Sequence, residues 1–298
     1  MKFGSINFRT SNEDKIFFPD DGITKGEIIN YYKDIAGLMV PQLKERPISM
    51  LRYPDGINGE VFFQKQASGY FPGWIKKVRL KKEGGSVKHV VCNNAATLVY
   101  LANQACLTPH IWLSRTDKIN YPDRMIFDLD PSDEDFEKVK KSAGHLLKFL
   151  SEQLKLHVFL MTTGSRGIHL IMPLIRDKNF DEVRAFSQAA AKRIIIKYPE
   201  LMTMEVRKEK RGKKVFIDTA RNAYAQTAVA PFAVRALNGA PVAAPLSHDE
   251  LFSKDLNPRQ FNIKNIFEKL RSTPDPWENI GRKKNSLVKA EKLLGKLL

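Results

Sequence analysis

Apolar residues recur along this chain at two spacings. In "GITKGEIINYYKDIAGLMVPQLKERP", Ile28, Tyr31, Tyr32, Ile35, Leu38 and Met39 fall three or four apart, the period of one helix face. Thr24 and Glu27 stand before them at the spacing of a capping box, and Pro41 is expected to end the helix. Two strand-like blocks follow, "ISMLRYPDG" and "GEVFFQKQ", each bounded by turn residues. "ATLVYLANQACL" reads as another helix and "HIWLSR" as a short strand. In "RMIFDLDPSD", Met125, Ile126, Phe127 and Leu129 are the residues of a buried strand that ends in two carboxylates, Asp128 and Asp130. Ser132 and Asp135 have the spacing of a second capping box, ahead of a helix with Phe136, Val139, Leu146, Leu147 and Leu150 on one face.

Farther on, "HVFLMTTGSRGIHLIMPL" predicts two strands joined by a polar loop, and "FDEVRAFSQAAAKRIIIKY" a helix. "MTMEVRKEKRGKKVFIDTARN" predicts a basic hairpin whose second strand ends at Asp218. "GRKKNSLVKAEKLLGKLL", within residues 282–298, predicts a basic amphipathic helix that covers a surface or meets a partner. Alternating helices and strands place the chain in the α/β or α+β class with a central sheet.

A length of 298 residues, 43% of them apolar, suffices for one large domain or two small ones. The N-terminal "MKFGSINFRTSNEDK" carries no signal-peptide core, and no apolar run is long enough to span a bilayer. Cys92 and Cys106 form neither a CxxC pair nor a disulfide framework. A soluble, cytoplasmic protein is expected. With 49 Lys+Arg against 33 Asp+Glu, the net charge is +16, the electrostatic footprint of a phosphate-backbone binder.

Charge alone makes no enzyme; "DLD" brings chemistry. On a strand, Asp128 and Asp130 project to one face about 6–7 Å apart, with Phe127 and Leu129 facing the other way. Two such carboxylates repel unless a cation or proton lies between them. Either a hard divalent cation sits there or the block is a strand end running into a helix cap. Asp218 ends a second apolar strand, "KVFID", and is followed by Arg221. Three carboxylates at strand ends can hold two metal ions; Asp218 can equally pair with Arg221 or Arg124. In "TTGSRGIHL", Gly164 and Gly167 would let backbone approach a phosphate, Arg166 can clamp it and His169 can donate to it. Arg235 follows a long apolar segment, "VAPFAVRA".

Together these motifs resemble the archaeo-eukaryotic primase superfamily: a DxD pair, a Ser/Thr-Gly-x-Arg-Gly-x-His segment and a later lone Asp. The chain resembles more closely the polymerase domain of bacterial ligase D and the stand-alone archaeal end-joining polymerases. The likeness lies in "ITKGEIINYY", "ERPISMLRYPDGINGEVFFQK", "PDRMIFDLDP", "TTGSRGIHL" and "FIDTARNAYAQTAVAPFAVRALNGAPVAAPL", and runs from about Asn12 to Pro276. It implies a single domain over residues 1–298, with a mainly antiparallel central sheet flanked by helices. It also implies two Mn²⁺ or Mg²⁺ ions on Asp128, Asp130 and Asp218. Thr163, Arg166 and His169 would hold the phosphates of an incoming nucleoside triphosphate, with Arg221 and Arg235 as further contacts. Asn12, Lys15 and Lys25 match a pocket for the 5′-phosphate at a DNA break, although Lys25 can equally be a solvated helix charge. Phe62 and Phe63 match an aromatic pair packed against template bases, or one fills the core while the other is exposed. His110 matches a histidine near the primer terminus.

The resemblance therefore implies extension of 3′-hydroxyls at gaps and broken ends in non-homologous end joining, with ribonucleotides favoured. Expected partners are DNA with a gap or 3′ overhang and a 5′-phosphate, Ku, and a separate DNA ligase, with no membrane. A de novo primase, a catalytically silent end-bridging module and a metal-dependent nuclease are the competing readings. The lack of a zinc-binding Cys/His cluster speaks against the first.

Overall fold

Thr24 and Glu27 do form a capping box: the threonine hydroxyl accepts from Glu27 N, and the glutamate accepts from Thr24 N. They start helix α1, Lys25–Asp34, in a computed structural model that describes residues 1–297. The break after α1 comes at Ile35, and Pro41 lies inside a second helix, α2, Ala36–Leu43. Proline was expected to stop the pattern. It stands at the sixth of eight helical positions, so its missing N–H removes the rung to Gly37 O, and the helix ends two residues later at Leu43.

After these come β1, Pro47–Arg52; β2, Phe62–Gln64; β3, Lys77–Lys82; β4, Gly85–Val91; α3, Ala95–Asn103; and β5, Cys106–Trp112. Next follow β6, Arg124–Asp130; α4, Phe136–Lys148; β7, Phe159–Thr162; β8, Ile168–Pro173; α5, Phe180–Lys197; β9, Met202–Thr203; and β10, Val215–Asp218. The last elements needed are β11, Thr227–Val229; β12, Pro245–Leu246; and α6, Leu287–Gly295. The chain divides into two compact units. The first holds Met1–Asp117, Thr227–Ala243 and Asn262–Ile266; the second holds Lys118–Gln226, Ala244–Phe261 and the chain from Phe267 onward.

The first unit is built on a sheet ordered β11-β5-β1-β4-β3, with β2 added beside the far end of β1. In the second unit the order is β9-β10-β6-β8-β7-β12. Among the described strands of these two sheets all pairings but one are antiparallel, so the α+β class with mainly antiparallel sheets holds. The exception corrects the expected basic hairpin: β9 and β10 run parallel, Met202 beside Val215 and Thr203 beside Phe216. The residues between them are long enough to carry the chain back before it re-enters the sheet. The second capping box is also corrected. Asp135 caps α4, accepting from Glu137 N and Lys138 N, while the Ser132 hydroxyl donates to Lys214 O.

One face of the second sheet carries the core. Phe127 and Leu129 of β6, Ile168 and Leu170 of β8 and Ile217 of β10 pack with α4 and α5. Leu287, Ala290 and Leu294 of α6 join the same cluster, so the basic tail helix covers this core. Among the described residues no helix is long and apolar enough to cross a membrane.

Candidate active site

β6 is flanked by β8 on one side and β10 on the other, and Asp128 is paired in both registers. Its partner on β8 is His169 and its partner on β10 is Asp218. Residues directly opposite in antiparallel strands share a face, as do residues two apart on one strand. Asp128, His169, Asp218 and Asp130 therefore stand on the face opposite Phe127 and Leu129. A strand apolar on one side for the core is acidic on the other for a site.

Buried Asp128 is held from two directions. His169 Nε2 lies 3.2 Å from Oδ1, and Arg221 Nε lies 3.4 Å from Oδ2. The same Arg221 Nε is 3.4 Å from Asp218 Oδ2, so one guanidinium bridges two of the carboxylates. Asp218 Oδ1 accepts from Ala220 N at 2.7 Å. Burial pushes the Asp128 carboxyl up, but His169 and then Arg221 outweigh it and hold it below the ordinary carboxylate range. Asp130 goes the other way. Burial first, and the negative charge of Asp128 second, push it up to about 6 against His169, Arg166 and Arg221.

The raised Asp130 has a measurable consequence. Its carboxyl ionises at a higher pH in the folded chain than in the unfolded one. Fold stability therefore falls as pH rises from about 4 to about 6, and the full penalty applies above that window. In metal-free buffer, Asp130→Asn is expected to be neutral near pH 4 and stabilising by up to about 3 kcal/mol above pH 6. Chemical denaturation in EDTA across that range checks it; a stability gain independent of pH would mean Asp130 keeps an ordinary pKa.

Could this face hold a metal ion? Among the described residues no three His, Cys, Asp or Glu groups are already gathered around a common point. The donor set nonetheless fits a hard dication. The carboxylates offer only oxygen donors, Asp128 Oδ1 is sealed from water without a directed hydrogen bond, and burial together with the charge of Asp128 pushes the neighbouring Asp130 carboxyl up. Arg221 supplies the positive charge there, and with 38% of its side chain exposed it has room to exchange these carboxylates for a phosphate.

The Thr163–Gly167 loop joins β7 to β8 beside these residues. It is closed twice: Thr163 N donates to Gly167 O, and Gly167 N donates to the Thr163 hydroxyl. Gly164 adopts φ +68°, the left-handed region glycine favours. Gly167 was expected to make room for a phosphate, but what fills its missing side chain is β6. A Cβ there would lie 2.3 Å from Leu129 O. Arg166 is exposed, and its charge reaches Asp130.

Sequence reasoning passed over Asn222. This fully buried side chain accepts from Ile126 N at 2.8 Å and donates to Ile126 O at 2.7 Å. Nothing but its place in "TARN" marks it, because an asparagine in a turn usually serves only the turn.

The remaining expected site residues belong to the first unit. Asn12, with φ +53°, starts a loop latched to the start of α1: Lys25 N donates to Lys15 O and Gly26 N to Glu13 O. The first three N–H groups of α1 are thus taken, the third by Thr24, so an anion here would be met by ammonium groups and not by the helix end. Lys25 is only 5% exposed, with Nζ donating to Ser11 O at 2.6 Å, which removes the reading as a solvated charge. Burial, then the charge of Lys15, lower its pKa, with Glu13 partly opposing them. Lys15 Nζ pairs with Asp55 at 2.5 Å.

Phe62 and Phe63 are both exposed, at 44% and 50%, because their three-residue strand hangs at the sheet edge with neither face covered. Neither fills the core. The Phe63 ring meets His110 of β5 edge-on, with centroids 6.0 Å apart. Arg235 follows Val234, which bridges to Val242, and its N–H donates to Pro241 O.

The family described as LigD, primase-polymerase domain, matches residues 24–277. The multifunctional non-homologous end joining protein LigD of Pseudomonas aeruginosa is 32% identical over 271 residues, covering 90% of this chain and 32% of that protein. Its namesake in Mycolicibacterium smegmatis is 31% identical over 256 residues, covering 85% of this chain and 34% of its own length. In Bacillus subtilis the bifunctional non-homologous end joining protein LigD is 31% identical, with 89% and 42% covered. The chain thus spans a third to two-fifths of the length of these relatives. Among solved structures, the polymerase domain of Mycobacterium tuberculosis ligase D in complex with DNA superposes with a TM-score of 0.87 at 26% identity, covering 94% of this chain and 99% of that one. The chain belongs to the LigD primase-polymerase domain family, nucleotidyltransferases of the archaeo-eukaryotic primase superfamily.

Proposed function

We propose that this chain is a single-domain polymerase of non-homologous end joining, which adds nucleotides, ribonucleotides by preference, to 3′-hydroxyls at gaps and broken DNA ends. One observation carries the reading: Asp218 stands directly across from Asp128 on the face that Asp130 and His169 share. When bound by Asp128, Asp130 and Asp218, two Mg²⁺ or Mn²⁺ ions supply Lewis-acid activation of the attacking oxygen and neutralise the leaving phosphates.

The protein's own part is positioning and charge. Arg166, His169 and Arg221 line the acidic face with groups that hydrogen-bond phosphate oxygens, and Arg235 is a further triphosphate contact. Thr163 keeps the loop that carries Arg166 closed. Phe62 and Phe63 offer ring faces for template bases, and base stacking of this kind is worth about 1–3 kcal/mol per base. His110, beneath Phe63, lies toward the primer terminus. Asn12, Lys15 and Lys25 take the 5′-phosphate on the far side of the gap. Ku and a DNA ligase are the partners this reading calls for, in the nucleoid of the cytoplasm.

Gap filling with and without a downstream 5′-phosphate tests this. The wild type is expected to prefer the phosphorylated gap. Lys25→Ala is expected to lower that preference about tenfold, the loss of one charge-assisted hydrogen bond. Equal extension of both substrates by the wild type would leave a primase-like enzyme with no end-joining pocket. No incorporation with either metal would leave a DNA-bridging module, and degradation of labelled DNA without nucleotide would indicate a nuclease.

A further inference from the structure

β10 accompanies β6 only as far as Asp218 beside Asp128. There the chain leaves the sheet through Thr219 into a turn, Ala220–Asn222. The next peptide group on β6 that needs a partner on this side is Ile126, and no strand reaches it. The Asn222 side chain does: its Oδ1 accepts from Ile126 N and its Nδ2 donates to Ile126 O. A side-chain amide carries the same donor and acceptor as a peptide. The ladder gains a rung without a strand. Nδ2 also lies 3.2 Å from Thr219 O and 3.2 Å from the hydroxyl of Ser187 on α5.

The segment from Asp218 to Asn222 is therefore tied to β6 at both ends, by the register at Asp128 and by the amide at Ile126. Arg221 lies inside that tether, and its Nε contacts Asp128 and Asp218. Ile126 N and O are buried with the strand, and losing their partner would leave both unsatisfied. We propose that Asn222 is a positioning residue: it sets Asp218 and Arg221 against Asp128, and so sets the affinity of the acidic face for a divalent cation. This rests on the polymerase reading above for its purpose, and on the hydrogen bonds alone for its geometry.

Mn²⁺ binding to the protein without DNA or nucleotide, measured by calorimetry, tests it. Asn222→Ala is expected to weaken Mn²⁺ binding about tenfold, the usual range for groups that orient metal ligands. Incorporation at limiting Mn²⁺ should fall about a hundredfold and recover to within about fivefold at saturating Mn²⁺. Binding of a 5′-phosphorylated duplex should stay within about twofold, since Lys15 and Lys25 are untouched. Unchanged Mn²⁺ affinity beside a lowered Tm would make Asn222 a purely structural residue and overturn the proposal. Should Asn222→Ala fail to fold, Ser187→Ala decides. It keeps both bonds to Ile126 and removes a lateral partner, so a shift of about threefold in the same direction is expected; no shift overturns the proposal. A wild type that binds Mn²⁺ but incorporates no nucleotide sinks the polymerase reading and leaves this one standing.

Discussion

Asp128→Ala is expected to lower nucleotide incorporation by about a thousandfold or more, with binding to a 5′-phosphorylated DNA end unchanged within about twofold. Asp128 is the carboxylate in register with both His169 and Asp218, and His169 and Arg221 hold it below the ordinary carboxylate range. Removing it takes away the negative charge around which Arg221 and His169 are arranged. The fold should tolerate the loss. The desolvation cost of the buried carboxylate goes with it, Arg221 is exposed enough to turn to water, and the loss that remains is the partner of buried His169. A change in stability of about 1–2 kcal/mol is expected, readable by thermal denaturation. Asp128→Asn separates charge from shape: it keeps the volume and should lose activity as fully as the alanine. Retention of a tenth or more of the wild-type rate in either variant would move the chemistry away from this face.

Local signals in the sequence led directly to structure. The Thr24–Glu27 box needs only four adjacent residues, and it forms as its spacing predicts. Ser132 and Asp135 carry the same spacing, yet two residues that both cap helices compete there, and Asp135 takes the cap. Nothing local distinguishes the two cases. That "FDLD" and "FID" were strands with carboxylates was legible, because charge among apolar residues is costly without a purpose. Their register was not. The pairing of Asp128 with Asp218 depends on residues 90 positions apart, as does the choice of Arg221 to bridge both carboxylates. The parallel pairing of β9 and β10 is nonlocal in the same sense, for the short strand could have paired either way. Lys25 shows the converse. A lysine in a capping box reads as solvated, and only the loop from Asn12 to Lys15 closing over it makes it buried.

Gly167→Ala is expected to destabilise the fold by about 2–3 kcal/mol and to reduce incorporation about a hundredfold. The cost is space. Gly167 has no left-handed φ, but a Cβ there would stand 2.3 Å from Leu129 O and 3.1 Å from Asp130 Oδ1. Leu129 O is backbone and cannot swing aside. Accommodation requires β6 and β8 to part at the end where one carries Asp130 and the other leads into His169. The Thr163–Gly167 closure would open with them, releasing the loop that holds Arg166. A displacement of about 1 Å is enough to cost two orders of magnitude in a positioned reaction. Gly164→Ala is the matched control. Its φ of +68° gives the substitution a cost in backbone strain, about 1–2 kcal/mol. Activity should therefore fall further in Gly167→Ala than in Gly164→Ala, beyond what their difference in Tm accounts for. Equal losses, or a Gly167→Ala enzyme within about threefold of wild type, would mean that the contact between Gly167 and β6 does not govern the geometry of the acidic face.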